Sequence, residues 1–277
     1  MSILKSDFPS KEREHSLEQI ERFIFIAMRL TNANSNYRSS QFYNAARAID
    51  SGEMTLSALN LELQERLSFA FNEVDGSLYC DDLIGMLRKK FDRKVGWYGW
   101  AGRHYFLYEY EQSLLDRTRQ KKVHWSDLLK NSRDKISIEH IYPQSGDKNW
   151  SIPFNQYDDK WKTRYCGSLG NLLLLSASIN SSLQNDSFED KKNPKYDDEN
   201  LIRNGYSDGS HSEIEVSRNE TWGPAEILER GLKLLAFMEE RWNFKFPHNY
   251  NLEKLLHLEV DPKLNTPSES GYDSKAA

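Results

Sequence analysis

Two stretches, Ser137-Ile138-Glu139-His140-Ile141-Tyr142-Pro143 and Gly170-Asn171-Leu172-Leu173-Leu174-Leu175, decide the fold of this 277-residue chain. The first reads as a short strand stopped by Pro143, because proline has no N–H to give to a ladder. The second is an apolar run of the length expected of a buried strand, Asn171 to Leu175. Ser176 to Asn185 then reads as a short helix. The order is strand, strand, helix. His140 lies on the first strand, Asn171 opens the second, and Asn180 rides on the helix.

Working outward, residues 1–130 read as a helical domain. Ser16-Leu17-Glu18-Gln19 has the pattern of a capping box, with Ser16 as N-cap and Gln19 at N3. Ile20, Phe23, Ile24, Ala27, Met28 and Leu30 follow at mostly helical spacing. Asn32 to Ser40 is a polar break. Helices are expected over 42–49, 56–71, 83–91 and 103–115, with an aromatic turn, Gly96-Trp97-Tyr98-Gly99-Trp100-Ala101-Gly102, before the last. Residues 131–250 form the second expected domain. In it, Gln144 to Ser168 reads as a long polar loop carrying Trp150 and Trp161, and Lys191 to Thr221 as a polar surface excursion. Pro224 suits a helical first turn. Ile227, Leu228, Gly231, Leu234, Leu235, Met238 and Trp242 then make one apolar stripe. Residues 251–277 are expected as a partly disordered tail, frayed after Pro262. The fold class expected is mostly α with a small α+β domain.

Composition excludes several classes. A hydrophobic share of 38% with 12% aromatics supports a packed core, so the chain is not disordered by composition. A net charge of −5 argues against a non-specific coater of nucleic acid, though not against an enzyme with a local basic groove. Two basic runs exist, Arg88-Lys89-Lys90 with Arg93-Lys94, and Arg117 to Lys122. The plain reading of each is a solvated helix face. Cys80 and Cys166 are isolated, which excludes a paired-cysteine zinc knuckle and suits a reduced, cytoplasmic protein. Met1 to Ser10 has no apolar signal-peptide core, and no run reaches membrane-spanning length.

The strand-strand-helix unit carries a candidate chemistry. Hydrolysis of a phosphodiester needs a base for the attacking water, a counter-charge for the pentavalent phosphorus and help for the leaving oxygen. A neutral histidine suits the first task, and His140 is the candidate general base. A hard divalent cation held by one or two protein oxygens suits the others. Glu139 and Asn180 offer such oxygens. Neighbours on a strand point to opposite faces, so Glu139 and His140 share a site only if the strand ends or bends there, which Pro143 favours. Asn171 is placed to tie down backbone near His140. Each residue alone also has a plain reading: a surface histidine, a turn asparagine, a polar helix face.

The blocks Glu139-His140-Ile141-x-Pro143-Gln144-Ser145, Leu169-Gly170-Asn171-Leu172-x-Leu174 and Asn180 resemble the ββα-metal fold of HNH endonucleases. The chain is also similar to the C-terminal domain of the GmrSD-type restriction nucleases. Leu183, Asn185, Phe188-Glu189-Asp190-Lys191, Trp222, Ile227 and Arg230 extend that resemblance, which covers roughly residues 135–243. It implies an N-terminal helical domain followed by a ββα-metal nuclease domain packed with additional helices. It also implies His140, Asn171 and Asn180 as catalytic residues, with Glu139 and Asn180 around the metal. Lys191 and Arg230 are implied as phosphate or DNA contacts. The cofactor implied is Mg²⁺, with Mn²⁺ or another divalent ion as substitute, and the substrate is DNA, foreign or modified. Members of this family also carry a nucleotide-binding, ParB-like domain. No Gly-rich phosphate loop for it is seen here, so either a separate subunit of that kind is an expected partner or the chain is a shortened or stand-alone member, and oligomeric state is left open. A function of a different class also fits: a non-catalytic nucleic-acid-binding or regulatory subunit on the same scaffold.

Overall fold

The computed structural model describes residues 1–31, 39–117, 123, 124, 126, 136–145, 148–248 and 250–258. The polar break at 32–38, the basic run beyond Arg117, the boundary near 130 and residues 259–277 lie outside the described residues. The architecture is mostly α-helical with small two-stranded antiparallel sheets.

The chain opens with α1 (Ser2–Lys5), α2 (Ser10–Phe25), α3 (Ser39–Asp50), α4 (Leu56–Leu67), α5 (Asp81–Asp92) and α6 (Arg103–Ser113). Their apolar residues recur at helical spacing and go inward. Leu56, Leu59, Leu63 and Leu67 do so on α4, and Leu83, Leu87 and Phe91 on α5. The capping box expected at Ser16 is not formed. Ser16 is buried in the middle of α2, which already starts at Ser10 behind Pro9. The helical period extends upstream through polar residues, so the apolar pattern alone missed the true start.

Strand β1 (Ile136–His140) pairs antiparallel with β2 (Leu172–Ser176), with Ile138 opposite Leu174 and His140 opposite Leu172. The segment between them is not the long polar loop expected. It holds α7 (Ser151–Phe154) and α8 (Asp159–Gly167), the latter capped by the Asp158 carboxylate, which accepts from the Trp161 N–H at 2.9 Å. Tyr142, Trp150, Phe154, Tyr157 and Tyr165 bury their rings against one another and provide the anchoring that polarity hid. After β2 come α9 (Ala177–Leu183) and α10 (Phe188–Lys192), completing strand-strand-helix.

Residues 191–221 are also more ordered than a surface excursion. They contain a hairpin, β3 (Lys195–Asp197) with β4 (Asn200–Arg203), and α11 (His211–Ser217). The first turn of α11 is buried. Ser210 and Glu213 form a capping box, and the buried Glu111 carboxylate of α6 accepts from the His211 and Ser212 N–H groups at 2.8 and 2.7 Å. A carboxylate at a helix N-terminus satisfies donors that the helix itself leaves open.

The longest helix, α12 (Pro224–Arg241), starts with proline in its first turn and buries Ile227, Arg230, Gly231, Leu234, Leu235 and Met238. It binds the two halves of the chain. At its C-terminal end Trp242 stacks on Phe25 of α2, ring centroids 3.5 Å apart, and donates its indole N–H to Glu21 at 2.7 Å. At its N-terminal end it lies directly on the turn before β2. A side chain on Gly170 would put its Cβ 1.9 Å from the Ile227 carbonyl oxygen, so only glycine permits this approach. Within the stretch expected as tail, α13 (Glu253–Leu256) is packed: Leu255, Leu256 and Leu258 are buried, and the Trp97 indole donates to the Leu255 carbonyl at 2.7 Å.

Candidate active site

Backbone alternation on β1 separates two environments. Glu139 faces inward. Its Oε1 accepts from the Lys191 ammonium at 2.6 Å and from the Tyr206 hydroxyl at 3.4 Å. Lys191 also donates to the carbonyls of His140 and Ile141, at 3.3 and 3.0 Å, with the Trp150 ring 5.7 Å away. The Glu139, Lys191 and Tyr206 side chains of this knot are all buried. Burial pushes the Glu139 carboxyl up and the Lys191 ammonium down, and the attraction between the two opposes both shifts.

His140 is different. It is half-buried at the last position of β1. Its ring lies 4.6 Å from the Tyr98 ring, tilted by 34°, and neither imidazole nitrogen bonds to a described residue. Burial first, and the nearby Lys191 charge second, pull its pKa down to about 4, so the ring is neutral at pH 7.

Asn171 clamps the chain that leaves β1. Its Oδ1 accepts from the Tyr142 N–H at 2.8 Å and from the Trp222 indole at 3.1 Å. Its Nδ2 donates to the carbonyls of Tyr142 and Cys166, at 2.9 and 3.0 Å. The Ile141 N–H donates to the Asn171 carbonyl at 3.0 Å. Fully buried, Asn171 thus fixes both ends of the connection with all four side-chain partners in place.

Asn180, on α9, is half-buried. Its Nδ2 donates to Ser137 Oγ at 2.8 Å and to the Ile138 carbonyl at 3.3 Å, which ties the helix to β1 and leaves its Oδ1 uncommitted among the described residues. Lys191 and Arg230, expected at phosphates, are turned inward instead. Arg230 Nη1 donates to the carbonyls of Gly170 and Leu172, both at 2.7 Å, and holds the turn on which Asn171 sits. Lys191 is held inside by Glu139 and two carbonyls, whereas Arg230 spends only Nη1 on carbonyls and leaves Nε and Nη2 without a described partner.

Among the described residues, no three His, Cys, Asp or Glu side chains converge on one point. A closed cage of the zinc or calcium type is therefore not formed by them. Of the two expected oxygen ligands, Asn180 leaves its amide oxygen uncommitted among the described residues, while the Glu139 carboxylate is enclosed and taken by Lys191 and Tyr206, so the described side chains do not by themselves form a metal site.

Sequence reasoning missed three contributors. Tyr98 covers His140 from the turn before α6, Tyr206 completes the Glu139 knot, and Arg103 lies over Tyr98 with its guanidinium carbon 5.2 Å from the ring centroid. Only tertiary structure brings these to a strand that is distant in the chain. The aromatic turn itself was visible, but nothing in it marked Tyr98 as the residue facing the histidine.

Among the described residues no helix is long and apolar enough to cross a membrane. Residues 85–237, more than half of the chain, match the family described as GmrSD restriction endonucleases, C-terminal domain. No curated protein and no solved structure matches the chain.

Proposed function

We propose, for a chain that belongs to the GmrSD restriction endonuclease family through its C-terminal domain, that His140 is the general base of a metal-dependent HNH endonuclease that hydrolyses DNA phosphodiesters. The family makes the chain a nuclease of the restriction-endonuclease type with DNA as substrate. The finer assignment rests above all on one observation. His140 is neutral and has both ring nitrogens free of described protein partners, while the Glu139, Lys191 and Asn171 side chains around it are bonded to protein.

In this reading an imidazole nitrogen of His140 takes the proton of a water molecule as its oxygen attacks phosphorus, and the leaving 3′-oxygen departs on the opposite side. The ring stays unprotonated at neutral pH because burial and Lys191 oppose its charge. Asn171 keeps the backbone that follows the base fixed, so the ring need not be ordered at each turnover. Asn180, with Glu139 only if its carboxylate leaves Lys191, would hold the divalent cation, Mg²⁺ or Mn²⁺. When bound, the ion supplies counter-charge for the phosphorane and for the leaving oxygen. The biological setting proposed is defence against foreign or modified DNA in the cytoplasm, with a separate nucleotide-binding ParB-like subunit as partner. The helices of residues 1–130 act as the docking and positioning part, ahead of the nuclease part at 131–250.

One observation favours a second reading, a non-cleaving DNA-binding subunit: the Glu139 carboxylate is already neutralised by Lys191. Supercoiled-plasmid conversion separates the two. The full chain is expected to nick plasmid with Mg²⁺ or Mn²⁺ and to stop on addition of EDTA. Plasmid binding without nicking across both metals, with and without added nucleotide, would favour the second.

A further inference from the structure

The basic run at the end of α5 takes no part in the site described above. Five of the seven residues 88–94 are cationic and one is acidic, in a chain whose net charge is −5. Helix α5 turns Leu83, Leu87 and Phe91 inward, which leaves Arg88, Lys89, Arg93 and Lys94 exposed. None of these four forms an ion pair among the described residues. Cations grouped without counter-ions raise the local potential, and a polyanion relieves it.

The fold aims this end of the helix at His140. Lys94 adopts the left-handed region at φ 60°, and Gly96 follows at φ 47°. A Cβ on Gly96 would meet the Gly167 carbonyl oxygen at 2.4 Å, so the turn after α5 is seated against the end of α8, beside the Asn171 clamp. The turn presents Tyr98 to the imidazole at 4.6 Å. The stem of Lys90 runs along Gly99, where an added Cβ would lie 2.9 Å from the Lys90 Cδ. Arg103 covers Tyr98 from the next helix. Among the described residues it donates Nη1 to the Trp100 carbonyl at 2.8 Å, and its Nε is buried without a hydrogen-bond partner there. Cations therefore flank the Tyr98 turn on both sides, Arg88 to Lys94 before it and Arg103 after it, and Tyr98 itself meets the candidate base.

We propose that this surface is the track that binds the DNA backbone beside the scissile phosphate, with Arg88, Lys89, Arg93 and Lys94 on flanking phosphates and Arg103 nearest His140. The identity of the polymer rests on the nuclease reading; the charge and its placement do not. Backbone binding of this kind carries no sequence information and sets register and affinity.

The test uses the full chain with Arg88, Lys89, Arg93 and Lys94 all changed to Gln, and Lys11→Gln on α2 as a control far along the sequence. All are exposed, so the fold is expected to persist, checked by an unchanged melting temperature. Binding of a fluorescent DNA duplex is measured in EDTA across a salt series, where cleavage plays no part. Each phosphate that is no longer neutralised lowers the slope of log K against log salt by about 0.9, so four such phosphates lower it by about 3.6. The proposal predicts a fall of that order, weaker binding by at least tenfold at low salt, and a plasmid-nicking KM that rises while kcat is kept. Lys11→Gln is expected to change none of these. An unchanged slope and affinity, or no duplex binding by the parent chain, would overturn the track. A parent chain that binds through these cations yet never nicks would leave the track standing and remove the nuclease reading instead.

Discussion

Glu139 and His140 are adjacent on one strand and live in opposite conditions. The carboxylate is enclosed, bonded to Lys191 and Tyr206, and its counter-charge is supplied by the protein. The imidazole is half-buried, held through ring contact with Tyr98, and its nitrogens meet no described protein partner. The difference follows from the two-residue period of a strand. One face of β1 looks into a knot of buried polar groups, and the other looks toward the turn after α5. A saturated group is suited to hold structure, and an unsaturated, neutral one is suited to move a proton. The pair thus divides scaffold from chemistry within two residues.

That contrast can be broken on the scaffold side first. Lys191→Met should leave the Glu139 carboxylate buried and unpaired. Removing one member of a buried ion pair costs about 3–5 kcal/mol, read as a lower denaturation midpoint at pH 7. Adding Glu139→Gln to that variant should recover a large part of the loss, because no buried charge then remains. A loss under about 1 kcal/mol in Lys191→Met, well below that range, would mean that the knot opens to water and that the saturated face is not saturated.

A smaller effect is expected at the clamp. Asn171→Ala strands the Tyr142 N–H, the Trp222 indole and two carbonyls. Buried groups left unbonded cost about 1–3 kcal/mol, with partial relief as the loop shifts. Denaturation should therefore show a loss of about 2–3 kcal/mol, together with a fall in nicking, since the segment after His140 is no longer fixed. Stability lost with nicking intact would sharpen the comparison by making Asn171 purely structural.

A third effect concerns protons. His140 is depressed to about 4 in the folded chain, against about 6.5 when unfolded. Its contribution to stability is therefore complete above pH 6.5 and is lost as the pH falls from 6.5 toward 4, because the unfolded chain takes up the proton first. In EDTA, His140→Phe should lose less stability than the parent between about pH 7 and about pH 4.5. Equal losses would place the imidazole in water rather than in the half-buried position described.

The strands, the helix after them and the stripe on α12 were legible in the sequence because strong apolar periodicity wrote them. The structure agrees on β1, β2, α9 and Pro224 in the first turn. Polar segments were misread for a physical reason. Between β1 and β2, and from 191 to 221, order comes from aromatic anchors and from capping between distant elements, such as Glu111 of α6 at the first turn of α11, and neither leaves a periodic trace. The Asn171 clamp was legible as a backbone tie near His140. The inward turn of Lys191 and Arg230 was not, because nothing local distinguishes a cation that holds carbonyls from one that meets phosphate. Tyr98 and Arg103 lie far from His140 in sequence, and only the seating of the turn after α5 joins them to it.

The central claim is that His140, not its saturated neighbour, performs the proton transfer. The most direct measurement compares supercoiled-plasmid nicking by the parent chain and by His140→Ala, at one metal concentration and with folding monitored in parallel. A general base contributes about 10²–10⁴-fold. The expected result is a fall of at least that lower bound, with the melting temperature and duplex binding of the variant kept. Nicking by His140→Ala at the parent rate would contradict the claim.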